Sequence, residues 1–247
     1  MDFSIAVVLA AGKGTRMNSE LPKVLFPVLG RPMIHFVLDA LEQAGIQRVL
    51  VVVGYRQDLV RQELEQRSGV EFVVQDKQLG TGHAVLVCRD ALGEHEGAVT
   101  VVTGDAPLLQ GESISTLLRY FSEFRPACLL GTLKTPMPTG LGRILRDQAG
   151  EFVRIVEDKD ATDEQRAITE VNMSTYVFDC QSLLKALDQL GNENRQSEYY
   201  ITDCPGILKM GQQDVRALPV LKPYEGLGVN RIEDISAVEA EMTNLGY

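Results

Sequence analysis

Ile5–Leu9 is a continuous apolar run that leads directly into Ala10-Ala11-Gly12-Lys13-Gly14-Thr15. A short run that is apolar at every position and bounded by glycine is the pattern of a strand buried on both faces. Such a strand needs parallel neighbours and helices above and below it, so this junction constrains the fold more than any other segment. The pattern then repeats. Val49–Val53, Glu71–Val74, Ala98–Thr103 and Cys128–Thr132 read as further strands. Pro32–Ala44, Asp58–Arg67, Thr81–Ala91 and Ser113–Phe124 carry helical spacing between them, and Gly45 is placed to cap the first of these helices. This rhythm predicts an α/β chain with a Rossmann-like, doubly wound, mainly parallel mixed sheet and right-handed crossovers.

After Pro138 the rhythm changes. Arg143–Arg146 and Phe152–Val156, joined by residues 147–150, read as a β-hairpin. Strand Val171–Phe178, helices Ser182–Leu190 and Tyr199–Met210, strand Val215–Val220 and a final helix Glu233–Leu245 follow. The expectation is one domain over residues 1–247: a first half to about 135, a second from about 136 to 230, and a C-terminal helix over 231–247. The second half is expected as a lobe over the C-terminal edge of the first sheet, where open α/β folds bind ligands.

The 247 residues are 45% hydrophobic and 23% charged, enough to bury a sizeable core. The formal net charge of -10 argues against nucleic acid or an anionic membrane as partner, since both need a basic surface. Affinity for phosphate must then come from a local cluster. Cys88, Cys128, Cys180 and Cys204 lie far apart in apolar segments, and with His35, His83 and His95 they form no metal-ligand spacing. They read as reduced core residues. The N-terminus lacks the basic start of a signal peptide and no stretch approaches a membrane span, so a cytoplasmic location is expected. The oligomeric state stays open, a homo-oligomer included.

The segment Leu9-Ala10-Ala11-Gly12-Lys13-Gly14-Thr15-Arg16-Met17, followed by Leu21-Pro22-Lys23, is the strongest chemical signal. Glycines let the backbone approach an anion, and successive N–H groups can cradle phosphate oxygens. Lys13, Arg16 and Lys23 gather positive charge in an acidic chain, which suits a triphosphate that releases pyrophosphate. A glycine-rich turn with solvated basic residues is the plainer alternative. A Walker A loop is absent, and the dinucleotide fingerprint fails because Met17 stands in the third glycine slot and the second strand ends at Gly54-Tyr55.

This segment resembles the signature of the sugar nucleotidyltransferases, and the chain is similar to the uridyltransferase domain of bacterial bifunctional N-acetylglucosamine-1-phosphate uridyltransferases. The resemblance extends through Gln78-Leu79-Gly80-Thr81-Gly82-His83-Ala84, Gly104-Asp105-Ala106-Pro107-Leu108, Pro138–Ile144, Val156–Arg166, Glu198–Asp203 and Gly228-Val229-Asn230. It implies the nucleotide-diphospho-sugar transferase fold with a sugar-binding β lobe. The family's second domain is a left-handed β-helix acetyltransferase, and no hexapeptide repeat follows residue 230 in this sequence.

The resemblance also implies roles. Leu9, Ala10, Gly12, Gly14 and Thr15 would face the nucleotide, and Gln75 with Gly80, Thr81 and Gly82 would read its base. Arg16 and Lys23 would act on the phosphates, while Asp105 and Asn230 would hold Mg²⁺. Thr103, Gly142, Glu157, Asn172 and Thr202 would face the sugar. The implied substrates are UTP and N-acetylglucosamine-1-phosphate, the products UDP-N-acetylglucosamine and pyrophosphate. Three positions depart from the family pattern: Thr103 stands where tyrosine is usual, and Met173-Ser174 follow Asn172 where Thr-Gly is usual. Another sugar-1-phosphate, a molybdopterin guanylyltransferase or cytidylyltransferase, and a non-catalytic sugar-nucleotide sensor are the alternatives.

Overall fold

The computed structural model describes residues 4–247 and places the first apolar run as strand β1 (Ile5–Ala10) inside the main sheet. The chain continues through the short strands β2 (Pro27–Val28) and β3 (Arg31–Pro32), helix α1 (Met33–Gln43), β4 (Arg48–Val53), α2 (Gln57–Glu63) and β5 (Val70–Val74). Then come α3 (Thr81–Leu86), α4 (Arg89–Leu92), β6 (Ala98–Thr103), α5 (Gly111–Phe124) and β7 (Cys128–Lys134). The second half adds β8 (Gly142–Arg146), β9 (Phe152–Val156), α6 (Asp163–Arg166), β10 (Glu170–Asp179), α7 (Cys180–Leu187), α8 (Asp203–Met210), β11 (Val215–Leu218) and α9 (Asp234–Asn244).

The main sheet has the order β11-β7-β10-β6-β1-β4-β5. Strands β6, β1, β4 and β5 pair in parallel, and β11 is parallel to β7. β10 runs antiparallel to both β6 and β7, which makes the sheet mixed as expected. Alternate residues of the interior strands enter two separate cores. Ile5, Val7, Leu50, Val52, Val99 and Val101 pack on the side of α3, α7 and α8. Ala6, Val8, Val49, Val51, Val53 and Val102 pack on the opposite side, against α1. Both faces of these strands are therefore buried, the physical reason that their sequences are apolar at every position. All four cysteines are free and buried, as expected.

The second half departs from a lobe laid over the sheet. Only β8 and β9 lie off the main path; β10 and β11 are members of the sheet itself. Several helices also differ from their expected spans, and α7 runs over Cys180–Leu187 where Ser182–Leu190 was expected. The Asp58–Arg67 pattern yields only Gln57–Glu63, and Thr81–Ala91 divides into α3 and α4. Residues 199–202 precede the helix, which begins at Asp203, because their backbone is engaged elsewhere: Tyr199 O accepts from Gly82 N at 2.7 Å. Helix α6 was not foreseen; four residues carry no period, although a reciprocal cap between Thr162 and Gln165 marks its start.

Arg146 fastens the β8–β9 hairpin to the sheet. Its guanidinium donates to both carboxylate oxygens of buried Glu170 on β10, at 2.7 and 2.8 Å, and to Ala217 O on β11 at 2.8 Å. Thr132 on β7 donates to the same carboxylate at 2.7 Å. Burial alone would raise the Glu170 pKa, but the hydrogen bonds from Arg146 and Thr132 outweigh it and hold the group below its ordinary 4.5. A depressed acid contributes stability above its unfolded pKa and loses it as pH falls through the folded value. Arg146→Met should therefore cost about 3 kcal/mol at pH 7, since it strands a buried carboxylate. Urea unfolding of variant and wild type checks this: the difference should shrink as the pH falls below about 4.5, and a loss under about 1 kcal/mol at neutral pH would contradict the role of this pair.

Candidate active site

Strand register brings the expected site loops together. Leu9 lies opposite Thr103, Ala10 opposite Val53, and Val53 opposite Val74. The segments that follow β1, β4, β5 and β6 thus leave the sheet at one edge, and Gly104 N donates to Leu9 O at 2.9 Å. Ala10 is buried. Gly14 takes φ 67°, and a Cβ there would lie 2.7 Å from Lys23 Cβ, so the loop after β1 is folded closely onto Lys23. Thr15–Met17 then forms a single 3₁₀ turn anchored by buried Met17.

Four of the expected residues converge on one point. Lys23 Nζ lies 2.6 Å from Asp105 Oδ2 and donates to Asn230 Oδ1 at 3.2 Å. Arg16 Nη2 donates to the same Asn230 oxygen, also at 3.2 Å. The backbone N–H groups of Asn230 and Arg231 both reach Asp234 Oδ2, at 2.7 and 2.8 Å, which fixes the turn that presents Asn230. A carboxylate oxygen and an amide oxygen, 207 residues distant from Lys23 in the latter case, thus face one cation. Among the described residues no group of three or more His, Cys, Asp or Glu could cage a metal.

A cavity of about 200 Å³ opens beside this cluster, lined by Lys23, Thr103, Asp105, Asn172, Met173 and Asn230 among others. Asn172 also pairs with Gly142 across β10 and β8. A Cβ on Gly142 would lie 3.6 Å from Asn172 Cβ and 3.7 Å from Glu157 Oε2, and Thr202 Oγ1 donates to Glu157 Oε1 at 2.9 Å. Gly142, Glu157, Asn172 and Thr202 are therefore contiguous, although Asn172 is the one of these four that lines the cavity. Burial raises the Glu157 pKa above its ordinary value; the Thr202 hydrogen bond opposes this, and Asp203, Asp160 and Asp158 add to it.

Gln75, Gly80, Thr81 and Gly82 form a separate group that does not line that cavity. Gln75 is buried, and its amide nitrogen lies 3.1 Å from Gly80 O and 2.9 Å from His83 Nδ1. Both amide protons are thereby used, leaving Oε1 as the end that can meet a ligand. Gly80 takes φ 114°, and a Cβ there would lie 2.5 Å from Tyr199 O. The loop is stitched to the following segment by Tyr199 N to Leu79 O at 2.8 Å and Ile201 N to Thr81 Oγ1 at 3.1 Å.

Several participants carry no signal in the sequence. Glu225 lines the cavity from a buried position, where it accepts from Gln110 N, Ser113 Oγ and Lys222 N at 3.0, 2.7 and 2.7 Å. Arg143 is buried, paired with Asp158 at 3.0 Å and bonded to the carbonyl of Leu141, so it holds the turn before Gly142. An arginine in a hairpin ordinarily reads as solvated, which is why its position was not foreseen.

Known proteins share both the sequence and the fold of this chain. The family profile of the MobA-like NTP transferase domain matches residues 6–196. A protein of Brevibacillus brevis named "Bifunctional protein GlmU" is 45% identical over 96% of this chain and 51% of its own length. The protein of that name from Limosilactobacillus fermentum is 46% identical over 91% of this chain and 49% of its own. The chain thus spans about half the length of the curated relatives it matches. A crystal structure of UDP-glucose pyrophosphorylase complexed with UDP-glucose superposes with a TM-score of 0.78 over 99% of this chain and 100% of that one, at 15% identity. That likeness establishes the shared nucleotidyltransferase fold. Together with the match over most of its length, these findings make the chain a nucleotidyltransferase that belongs to the MobA-like NTP transferase domain family.

Proposed function

We propose that the chain transfers a uridylyl group from UTP to N-acetylglucosamine-1-phosphate, giving UDP-N-acetylglucosamine and pyrophosphate. The observation that carries this reading is the meeting of Arg16, Lys23, Asp105 and Asn230 at the strand ends beside a cavity that the last three help to line. The sequence resemblance supplies the substrate pair.

Gly12, Gly14 and Thr15 would present backbone N–H groups to the triphosphate, and Gln75 Oε1 with Gly80–Gly82 would take the base. Lys23 and Arg16 bring positive charge to the α-phosphate and to the departing pyrophosphate, where negative charge grows in the transition state. Gly142 N–H, Glu157, Asn172, Thr202 and Thr103 would orient the sugar phosphate for in-line attack on the α-phosphorus. No side chain need act as base, because a phosphate dianion is already nucleophilic. Asp105 and Asn230 would hold Mg²⁺: two oxygens that already converge on an ammonium fit an ion that takes few protein ligands. When bound, Mg²⁺ would supply Lewis-acid charge to the phosphate oxygens. A cytoplasmic location fits the four free, buried thiols.

A second acceptor has one observation in its favour. Met173 and Ser174 line the cavity, with Ser174 at φ 52°, so the pocket wall differs from the Thr-Gly pattern that the resemblance implies. Contacts of this kind shift preference by roughly tenfold to two-hundredfold.

Pyrophosphate release with four nucleoside triphosphates against N-acetylglucosamine-, N-acetylgalactosamine-, glucose- and glucosamine-1-phosphate tests the reading. UTP with an N-acetylhexosamine should give the highest kcat/KM. Asp105→Ala should lower turnover at least a hundredfold, about 3 kcal/mol of transition-state stabilisation. A tenfold preference for a sugar without the N-acetyl group would sink the acceptor assignment, and an unchanged rate for Asp105→Ala would sink the site.

Glu157 gives a prediction of opposite signs. Its folded pKa is raised, so its ionisation weakens the fold as pH rises through that value. Glu157→Gln should be more stable than wild type at pH 7.5 and no more stable at pH 4, while its KM for the sugar phosphate rises. Equal thermal midpoints at pH 7.5 would contradict a costly buried carboxylate, and an unchanged KM would remove Glu157 from the acceptor site.

A further inference from the structure

β10 is interrupted where it reaches the cavity. Its register against β7 shifts between Asn172 and Thr175, and Ser174 sits in the left-handed region at φ 52°. The residues displaced by this bulge, Met173 and Ser174, form part of the cavity wall. Beyond the bulge the pairing resumes at Thr175, and the next residue, Tyr176, is wholly buried and packs on Phe178 with ring centroids 5.6 Å apart. Its hydroxyl accepts a 2.7 Å hydrogen bond from Asn172 Nδ2. Asn172 Oδ1 in turn accepts from Ser174 N at 3.3 Å. Both ends of the carboxamide are thus assigned, leaving one amide proton and one lone pair for a ligand. Burial, and then the nearby charge of Glu157, push the Tyr176 phenol well above its ordinary value, so the hydroxyl stays neutral across the working pH range.

We propose that Tyr176 is a positioning residue: its hydroxyl fixes the Asn172 carboxamide and the Met173-Ser174 bulge in the orientation that meets the acceptor. The inference rests on the reading of Asn172 as an acceptor contact. The hydroxyl itself touches no substrate. It acts by removing the rotation that would otherwise exchange the donor and acceptor ends of the amide, a form of preorganisation that sharpens affinity without new contacts. A tyrosine serves here because its ring belongs to the core beneath the bulge while its polar tip reaches the buried amide.

The test is Tyr176→Phe, which keeps the ring and removes one oxygen. With N-acetylglucosamine-1-phosphate as acceptor and UTP saturating, its KM for the sugar phosphate should rise about tenfold, the size set by one net hydrogen bond. Both kcat and the KM for UTP should stay within about twofold. Asn172→Ala should raise the acceptor KM at least as much, and Tyr176→Phe/Asn172→Ala should be no worse than Asn172→Ala alone. Titration of the thermal midpoint with the sugar phosphate reports affinity from the folded fraction, which keeps the comparison open if Tyr176→Phe is less stable. Parallel loss of kcat and of both affinities, in step with stability, would overturn the proposal, as would additive single effects. A silent Tyr176→Phe beside an impaired Asn172→Ala would overturn the role of Tyr176 alone. A silent Asn172→Ala would overturn it together with the acceptor reading on which it rests.

Discussion

The pairing of β1 with β4 and β6, all running the same way, is the constraint on which the site depends. It places Ala10 beside Val53 and Leu9 beside Thr103, so the loop after β1 and the Gly104-Asp105 turn emerge next to each other. The bond from Gly104 N to Leu9 O extends that pairing one step past the strand and fixes where Asp105 begins. Everything cationic in the site is then drawn to this spot. In a chain with a formal charge of -10, Lys23 and Arg16 form a small positive region because Asp105 and Asn230 hold them there. The phosphate affinity proposed for this acidic protein would in this way be a local property of a strand edge and not of the net charge.

The reversed strand β10 makes the second half of the chain part of the same machine. Because it runs against β6 and β7, its N-terminal end meets the edge where the parallel strands finish. Asn172 therefore comes to the cavity that Asp105 also lines, and the β8–β9 hairpin, paired to β10 at Val171 and Asn172, brings Gly142 and Glu157 alongside. The Arg146–Glu170 pair ties that hairpin to β7, β10 and β11. The sides proposed for nucleotide and acceptor share one sheet, which suits a reaction whose barrier is lowered by alignment.

Much of the first half was legible in the sequence because two-sided burial makes a strand apolar at every position, and β6 was bounded by Ala98 and Thr103 as expected. The glycine-rich loop was legible for a related reason: Gly14 and Gly80 occupy conformations or approaches that a side chain would spoil. What local pattern cannot carry is the order of strands in space. Nothing in Val171–Phe178 announces that β10 inserts between β6 and β7, and the expectation of a lobe laid over the sheet edge followed from that silence. The buried polar partners were hidden for a similar reason. Arg143, Tyr176 and Glu225 acquire their roles from neighbours that are close in space, as with Ser113 and Glu225, 112 residues apart. Asp105 could be suspected from its place after a strand, whereas Asn230 was identifiable only through the family resemblance.

The chemistry that this arrangement supports is transfer by placement. At the strand ends the oxygens of Asp105 and Asn230 face the Lys23 cation, and the four thiols are buried away in the core. The stereochemical course at phosphorus tests that claim most directly. With UTP made chiral at the α-phosphorus by a single sulfur, one in-line displacement by the sugar phosphate predicts complete inversion in the UDP-sugar product. Net retention would mean two displacements through a covalent uridylyl-protein intermediate, and transfer by placement alone would be wrong.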